Sequence, residues 1–277
     1  MAEKVRIRPL DLFEDFEKLL QIQRAVWNHT DADLTPTHQF SVSSRMGAIL
    51  LGAFVGRELV GFVYSFPAVF GGKFCQHSHL LAVLPEFQGS GVGKTLKWAQ
   101  RNEAMKRGYR LITWTFDPLQ TRNANLNLQA LGAFSRTYFH NFYGMTSSLC
   151  LGPGIPTDRL LIEWPIRGVR VKGRAEGKGK RPCYDPAGLP KALERKGGEE
   201  GTFAPPAKPR LNLDDNVLLA EVPRDIKALV FRCDLIAAWQ TGLRRTMQRY
   251  FGRGYKADHF LFGDRCFYVL KREEKRG

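Results

Sequence analysis

Residues 81–96 read LAVLPEFQGSGVGKTL, and no other stretch limits the possible folds as strongly. An apolar run ends at Pro85, Gly89, Gly91 and Gly93 follow, and a helix-forming sequence opens at Lys94. Glycines at that density let the backbone turn tightly and come close to a ligand. A loop that feeds a helix N-terminus offers unpaired N–H groups and the positive end of the helix dipole. Such a place holds an anion, and pyrophosphate is its natural occupant. Two loops fit these letters in part. A nucleotide P-loop, G-x-x-x-x-G-K-[ST], needs a glycine where Gln88 stands, although Lys94-Thr95 is in place and LITWTFD ends at Asp117 as a Walker B strand would. The alternative is Q-x-x-G-x-G, formed by Gln88, Gly91 and Gly93.

Context separates the two. KVRIRPL (4–10) alternates as a first strand, and LFEDFEKLLQIQRAVWN (12–28) has its apolar residues at helical spacing. The polar HTDADLTPTHQF ends that helix. AILLGAFVG and ELVGFVYSFPAVF predict two strands joined at Gly56-Arg57 as a hairpin. HSHLLAVLP (77–85) predicts a further strand, with His77, His79, Leu81 and Val83 on one face. The loop follows, then a helix over 94–108, a strand over 109–117, a helix over 121–133, and strands over 133–145 and 158–166. A P-loop opens a parallel sheet; this loop comes after a helix and a hairpin, so the sequence speaks against it.

The rest of the chain differs in composition. Residues 1–165 hold 17 Lys+Arg against 13 Asp+Glu, whereas the remaining 112 hold 25 against 14. RGVRVKGRAEGKGKR (167–181) and the Gly/Pro-rich KGGEEGTFAPPAKPR (196–210) predict linker or loop over 167–213. NVLLAEVP (216–223) predicts a strand. DLIAAWQTGLRRTMQRYF (234–251) predicts an amphipathic helix, with Leu235, Trp239, Leu243, Met247 and Phe251 in one stripe and Arg244, Arg245 and Arg249 off it. YKADHFLFGDRCFYVLKR predicts a hairpin turning at Gly263-Asp264. The resulting domain scheme is 1–166, a 167–213 linker and a 214–277 appendage.

The order strand, helix, three strands, Q-x-x-G-x-G loop, helix, strand, helix, strands resembles the GNAT acyltransferase superfamily over about residues 1–166. The resemblance rests on LAVLPEFQGSGVGKTL, and on ALGAF (130–134), which is similar to the Leu-Gly-Phe closing the family's next helix. It implies an α/β fold, an α+β mixed sheet of the acyl-CoA N-acyltransferase type with a small C-terminal α/β appendage. It implies binding of acetyl-CoA or another acyl-CoA such as succinyl-CoA, and acyl transfer to an amine. It places Gln88, Gly89, Ser90, Gly91, Val92, Gly93 and Lys94 around the CoA pyrophosphate. It implies that the strand before the loop bulges and pairs its backbone with the pantetheine arm, which places Leu81, Ala82 and Val83 there, with the Val83 N–H as oxyanion donor.

The acid and base are less legible. The family's tyrosine falls at Leu128 and its usual asparagine at Thr121, so neither carries over. Tyr138 and Tyr143, on the strand that follows, are the replacements for the acid. His77 and His79 share a strand face, and His79 is the candidate base, since imidazole titrates near neutrality. Asp117 and Glu163 are weaker candidates. Asn123 and Asn127, four apart on one predicted helix face, could bond the pantetheine, Asn123 foremost.

No His/Cys/Asp/Glu spacing suggests a metal, and five scattered cysteines with no C-x-x-C suggest reduced thiols. The charged start and an apolar run of at most 11 residues predict a soluble, cytoplasmic chain with no membrane partner. The expected partner is a small-molecule amine. The basic back half leaves nucleic acid open as an alternative, including a catalytically silent fold that binds RNA or DNA, although no nucleic-acid motif is visible.

Overall fold

A computed structural model describes residues 4–27, 30–145, 151, 154–178, 182–197 and 204–273. The chain forms two compact units, Met1–Trp114 with Pro165–Ala175, and Thr115–Trp164 with Glu176–Gly277.

In the first unit, β1 (Arg6–Pro9), β2 (Ile49–Val55), β3 (Glu58–Phe70) and β4 (Lys73–Val83) pair antiparallel in that order. β5 (Leu111–Phe116), whose residues to Trp114 lie in this unit, joins β4 in parallel. The β2–β3 turn is at Gly56-Arg57 as the sequence predicts, with Gly56 at φ 57°. Gly71 and Gly72, both at positive φ, close β3–β4, which is what a two-residue hairpin turn demands.

Helices α1 (Phe13–Trp27) and α2 (Thr37–Arg45) cover one face of the sheet, burying Phe16, Leu19, Phe40, Phe62 and Tyr64 in one cluster. The α2 helix lies partly in the stretch read as a polar connection. Its apolar content is slight, but Phe40 is fully buried and Ser43 shares a 2.7 Å hydrogen bond with Tyr64. Helix α3 (Val92–Lys106) packs on the other face, and α5 (Val169–Ala175) falls in the stretch expected to be linker. No helix among the described residues is long and apolar enough to cross a membrane.

The second unit carries the strands in the order β7 (Arg159–Pro165), β6 (Phe134–Phe139), β10 (Tyr255–Leu261), β11 (Cys266–Arg272), β9 (Val217–Val222), β8 (Lys191–Leu193). All these pairs are antiparallel except β8 with β9. The Gly/Pro-rich residues after β8 are held by main-chain bonds, Ala207 N–H to Glu194 O and Arg210 N–H to Ala192 O among them. Proline there leaves few donors, and those of Lys196, Ala207 and Arg210 are used.

Helix α6 (Cys233–Phe251) buries Leu235, Trp239, Leu243 and Met247, four of the five stripe residues. Its arginines are not uniformly solvated: Arg244 is an ion-pair partner of buried Asp158 at 2.7 Å. The 121–133 helix is α-helical only over Thr121–Ala124 (α4) and continues as a π-helix over Asn125–Ala130. That widening breaks the expected Asn face: Asn127 is buried while Asn123 is exposed.

Candidate active site

The centre of the first unit's site is an irregularity in β4. Tyr64 pairs with Leu80 and Ser65 with Ser78, which leaves His79 as an extra residue, a β-bulge. A bulge flips the alternation of side chains beyond it. Ser78 faces α3, where its Oγ accepts from Lys97 Nζ (3.1 Å) and Gln100 Nε2 (3.0 Å). Leu80 and Ala82 join the cluster beneath α1 and α2. The expected single face of His77, His79, Leu81 and Val83 is therefore split. The histidines share one side, both rings packing on Phe66 at 5.5 and 5.8 Å, while Leu81 and Val83 lie on the other, below Gly93.

The bulge also bends β4 away from β5. Their parallel pairing consists of Gln76↔Ile112 and His77↔Thr113, just short of the bulge. Beyond it, Leu84 N–H bonds Val60 O at 2.9 Å, so the antiparallel alternation makes Ala82–Phe62 a bonded pair and Leu81–Val63 and Val83–Gly61 non-bonded pairs. The N–H groups of Leu81 and Val83 thus point out along an edge with no ladder partner among the described residues. Ala82, expected on that edge, instead spends its main chain on β3.

The edge leads into the glycine loop. Gly89 (φ 81°) and Gly91 (φ 94°) adopt the left-handed conformation, and Gly91 caps α3. The first helical bond is Thr95 N–H to Gly91 O, so the N–H groups of Val92, Gly93 and Lys94 precede it. Those of Gly89, Ser90 and Gly91 have no main-chain acceptor among the described residues. Six N–H groups therefore surround one short loop at a helix N-terminus, with exposed Lys94 beside them. Gln88 departs from the expectation. Its own N–H goes to Pro85 O, and its side-chain amide donates to Val83 O at 2.9 Å, so it ties the loop to the strand rather than facing an anion.

Both histidines are held neutral. Burial, then His79 and Lys97, pushes His77 down from 6.5 to about 4, and its Nδ1 lies 3.0 Å from Thr113 Oγ1. Desolvation lowers His79 as well, although the residue is exposed at the surface. Sequence reasoning missed Lys97, which is 2% exposed. It donates to Gln100 Oε1 at 2.7 Å, lies 3.8 Å from the Trp114 ring centroid, and is driven well below its ordinary pKa by burial. Lysine on a helix signals a solvated face, and only the neighbouring polar Ser78 and Gln100 hint otherwise.

The remaining candidates lie in the second unit. Tyr138 is buried, its hydroxyl donates to Asp158 Oδ2 at 2.7 Å, and burial followed by that carboxylate raises its pKa well above the ordinary value. Tyr143 is exposed and its hydroxyl lies 3.2 Å from Thr115 Oγ1. Asp117 is raised, chiefly by desolvation, and accepts from Leu119 N–H at 2.9 Å. Glu163 is engaged on both oxygens by Arg136 at 2.8 Å. Among the described residues no group of His, Cys, Asp and Glu could hold a metal ion.

Residues 12–133 match the model of the acetyltransferase (GNAT) family. No curated protein matches the chain. Solved structures similar to it include the PaiA N-acetyltransferase of Thermoplasma acidophilum in complex with coenzyme A (18% identity, TM-score 0.43, 58% of this chain and 99% of that one). An acetyltransferase of Elizabethkingia anophelis with acetyl-CoA bound is also similar (18% identity, TM-score 0.46, 58% and 97%), as is the aminoglycoside 6'-acetyltransferase type Ii (19% identity, TM-score 0.47, 59% and 98%). The matched residues include the bulged strand, its open edge and the glycine loop, so this chain carries a domain of the acetyltransferase (GNAT) family over residues 12–133.

Proposed function

We propose that the chain is an acyl-CoA-dependent N-acyltransferase that moves an acyl group, acetyl in the first instance, from the CoA thioester to a primary amine. The observation that carries this reading is the open edge of β4 running into a cradle of six N–H groups. An extended, amide-containing pantetheine arm can pair with such an edge as a strand would. Its pyrophosphate then meets Gly89, Ser90, Gly91, Val92, Gly93 and Lys94. Leu81 and Val83 present the main-chain groups of the edge, and the Val83 N–H polarises the thioester carbonyl. Gln88 and Ala82 act as supports.

In the reaction the amine nitrogen attacks the carbonyl carbon, the C–N bond forms, and the C–S bond breaks with the electron pair leaving on sulfur. The attacking ammonium must first lose a proton, and the thiolate must gain one. His79 is assigned as the base, because a neutral imidazole on an exposed residue can accept that proton. Of the two tyrosines, both in the second unit, Tyr138 has its proton spent on Asp158, whereas Tyr143 is exposed. Tyr138 then positions Asp158 and Arg244.

The P-loop alternative loses support from Thr95, whose hydroxyl bonds Gly91 O at 3.1 Å instead of standing ready for a metal. The nucleic-acid alternative loses support from the back half, where Arg195, Arg244, Arg253, Arg265 and Arg272 are bound to carboxylates of the chain. The cytoplasm is the setting that fits reduced thiols and CoA.

His79→Gln tests the assignment, with thiol release from acetyl-CoA as the readout against a panel of amines. The expected loss in kcat is ~10²–10⁴-fold with binding of the cofactor retained. The sign of the pH dependence follows from the lowered pKa. In the wild type kcat holds through neutrality and falls only below the ordinary 6.5, where His79 takes up a proton, and that limb is absent in the variant. An unchanged kcat and an unchanged acid limb would remove His79 from the mechanism.

A further inference from the structure

The parallel pairing of β4 with β5 ends at His77↔Thr113, where the two strands fork. Ser78 and Trp114 are the next residues on each strand, and Lys97 of α3 touches both. Its Nζ lies 3.1 Å from Ser78 Oγ and 3.8 Å from the centroid of the Trp114 ring. Gln100 closes a ring of bonds: its Oε1 accepts from Lys97 Nζ at 2.7 Å, and its Nε2 donates to Ser78 Oγ at 3.0 Å. All four side chains are buried, and all belong to the first unit.

An amine in such a place is costly. Desolvation opposes a buried ammonium, and it is the cause of the fall in the Lys97 pKa. Apolar residues of similar volume are often neutral or stabilising where they replace buried charged groups. What the amine adds is direction, through a hydrogen bond to one strand and a seat over the ring of the other.

Direction is what β4 lacks beyond the fork. Residues 80–84 read LLAVL, apolar on both faces, so their pattern selects neither face nor register. The strand has also parted from β5 there, which leaves β3 as its ladder neighbour. Ser78 is the last residue before the bulge at His79, and α3 binds its hydroxyl with two donors.

We infer that Lys97 is a positioning residue: with Gln100 it fixes Ser78 relative to Trp114, and so sets the width of the fork and the course of the open edge that leaves it. Its functional weight rests on the acyl-CoA reading, because that edge is the one proposed to pair with the pantetheine arm.

The test compares the wild-type full chain with Ser78→Ala and with the triple variant Ser78→Ala/Lys97→Met/Gln100→Leu. Ser78→Ala lowers the melting temperature, since Lys97 and Gln100 lose an acceptor inside the protein. The triple variant removes all the partners together and regains stability. In calorimetric titration both variants bind acetyl-CoA about tenfold more weakly than the wild type, the upper worth of one hydrogen bond between arm and edge. ADP, which carries a pyrophosphate but no pantetheine arm, binds all three proteins alike. A purely structural role would restore acetyl-CoA affinity along with the melting temperature in the triple variant, and that result overturns the inference. Equal weakening of ADP overturns it too, because the loss then lies in the glycine loop. So does wild-type acetyl-CoA affinity in folded Ser78→Ala, which is decisive even where the triple variant does not fold. Failure of the wild type itself to bind acetyl-CoA overturns the acyl-CoA reading, and the role of Lys97 with it.

Discussion

Val83→Pro lowers kcat for acyl transfer by ~10²–10³-fold, the usual cost of removing one oxyanion donor, and leaves the chain folded. Proline replaces the N–H with a ring carbon and changes little else on an edge that has no ladder partner. The bonded pairs on either side, Ala82–Phe62 and the bond from Leu84 N–H to Val60 O, keep β4 attached to β3. Ala82, which would precede the new proline, is already extended as proline requires of its neighbour. Ala82→Pro is the natural contrast. It removes a donor that β3 uses, so it lowers the melting temperature and affects turnover only through folding. Circular dichroism, thermal melts and steady-state kinetics on the two variants separate these outcomes. Equal destabilisation by both, or unchanged kcat in Val83→Pro, would show that the outward N–H of Val83 has no part in the chemistry.

Gly91→Val reduces CoA affinity by at least about a hundredfold, equivalent to losing two charge-assisted hydrogen bonds. Steric collision is not the cause, because a Cβ at Gly91 meets nothing within 4 Å. The cause is the backbone: at φ 94° a β-branched residue is strained, by roughly 1–2 kcal/mol. Relief of that strain turns the loop's N–H groups away from a common point. Some stability is lost with it, so binding must be compared at a temperature where the variant is folded. Gly93→Ala makes the comparison sharp. Gly93 is not in the left-handed region, and its Cβ would stand at ordinary contact distance from Val83 Cγ2 (3.7 Å) and Leu81 Cδ2 (4.0 Å). It should bind CoA nearly as the wild type does. Titration showing equal losses in both variants would contradict a role for the loop's conformation.

The regular parts of this molecule were legible in the sequence because their signals are local. Gly56-Arg57 between two apolar runs gave the β2–β3 hairpin, Gly263-Asp264 the last one, and the four-residue repeat from Leu235 to Met247 gave α6. The glycine loop was legible for the same reason, since left-handed backbone at Gly89 and Gly91 requires that residue type. What determines the site beyond the loop is not local. The resemblance implies a bulge in this strand, but its place at His79 follows from how β4 meets β3, and no residue in HSHLLAV announces that place. Its consequence, reversal of the faces at Leu81 and Val83, is therefore opaque to period-two reading. The π-helical winding at Asn125–Ala130 likewise moved Asn127 out of the face it was expected to share with Asn123. Burial of Lys97 and the engagement of Tyr138 with Asp158 depend on residues distant in the chain, as does the short helix α2 anchored by Phe40.

The central claim is that the open edge of β4 and the loop before α3 hold the pantetheine and pyrophosphate of an acyl-CoA. Isothermal titration of the full chain with acetyl-CoA, and in a second cell with ATP and magnesium, tests it most directly. The account predicts saturable one-to-one binding of acetyl-CoA and no comparable binding of the nucleotide; tight binding of ATP with magnesium and none of acetyl-CoA would contradict it.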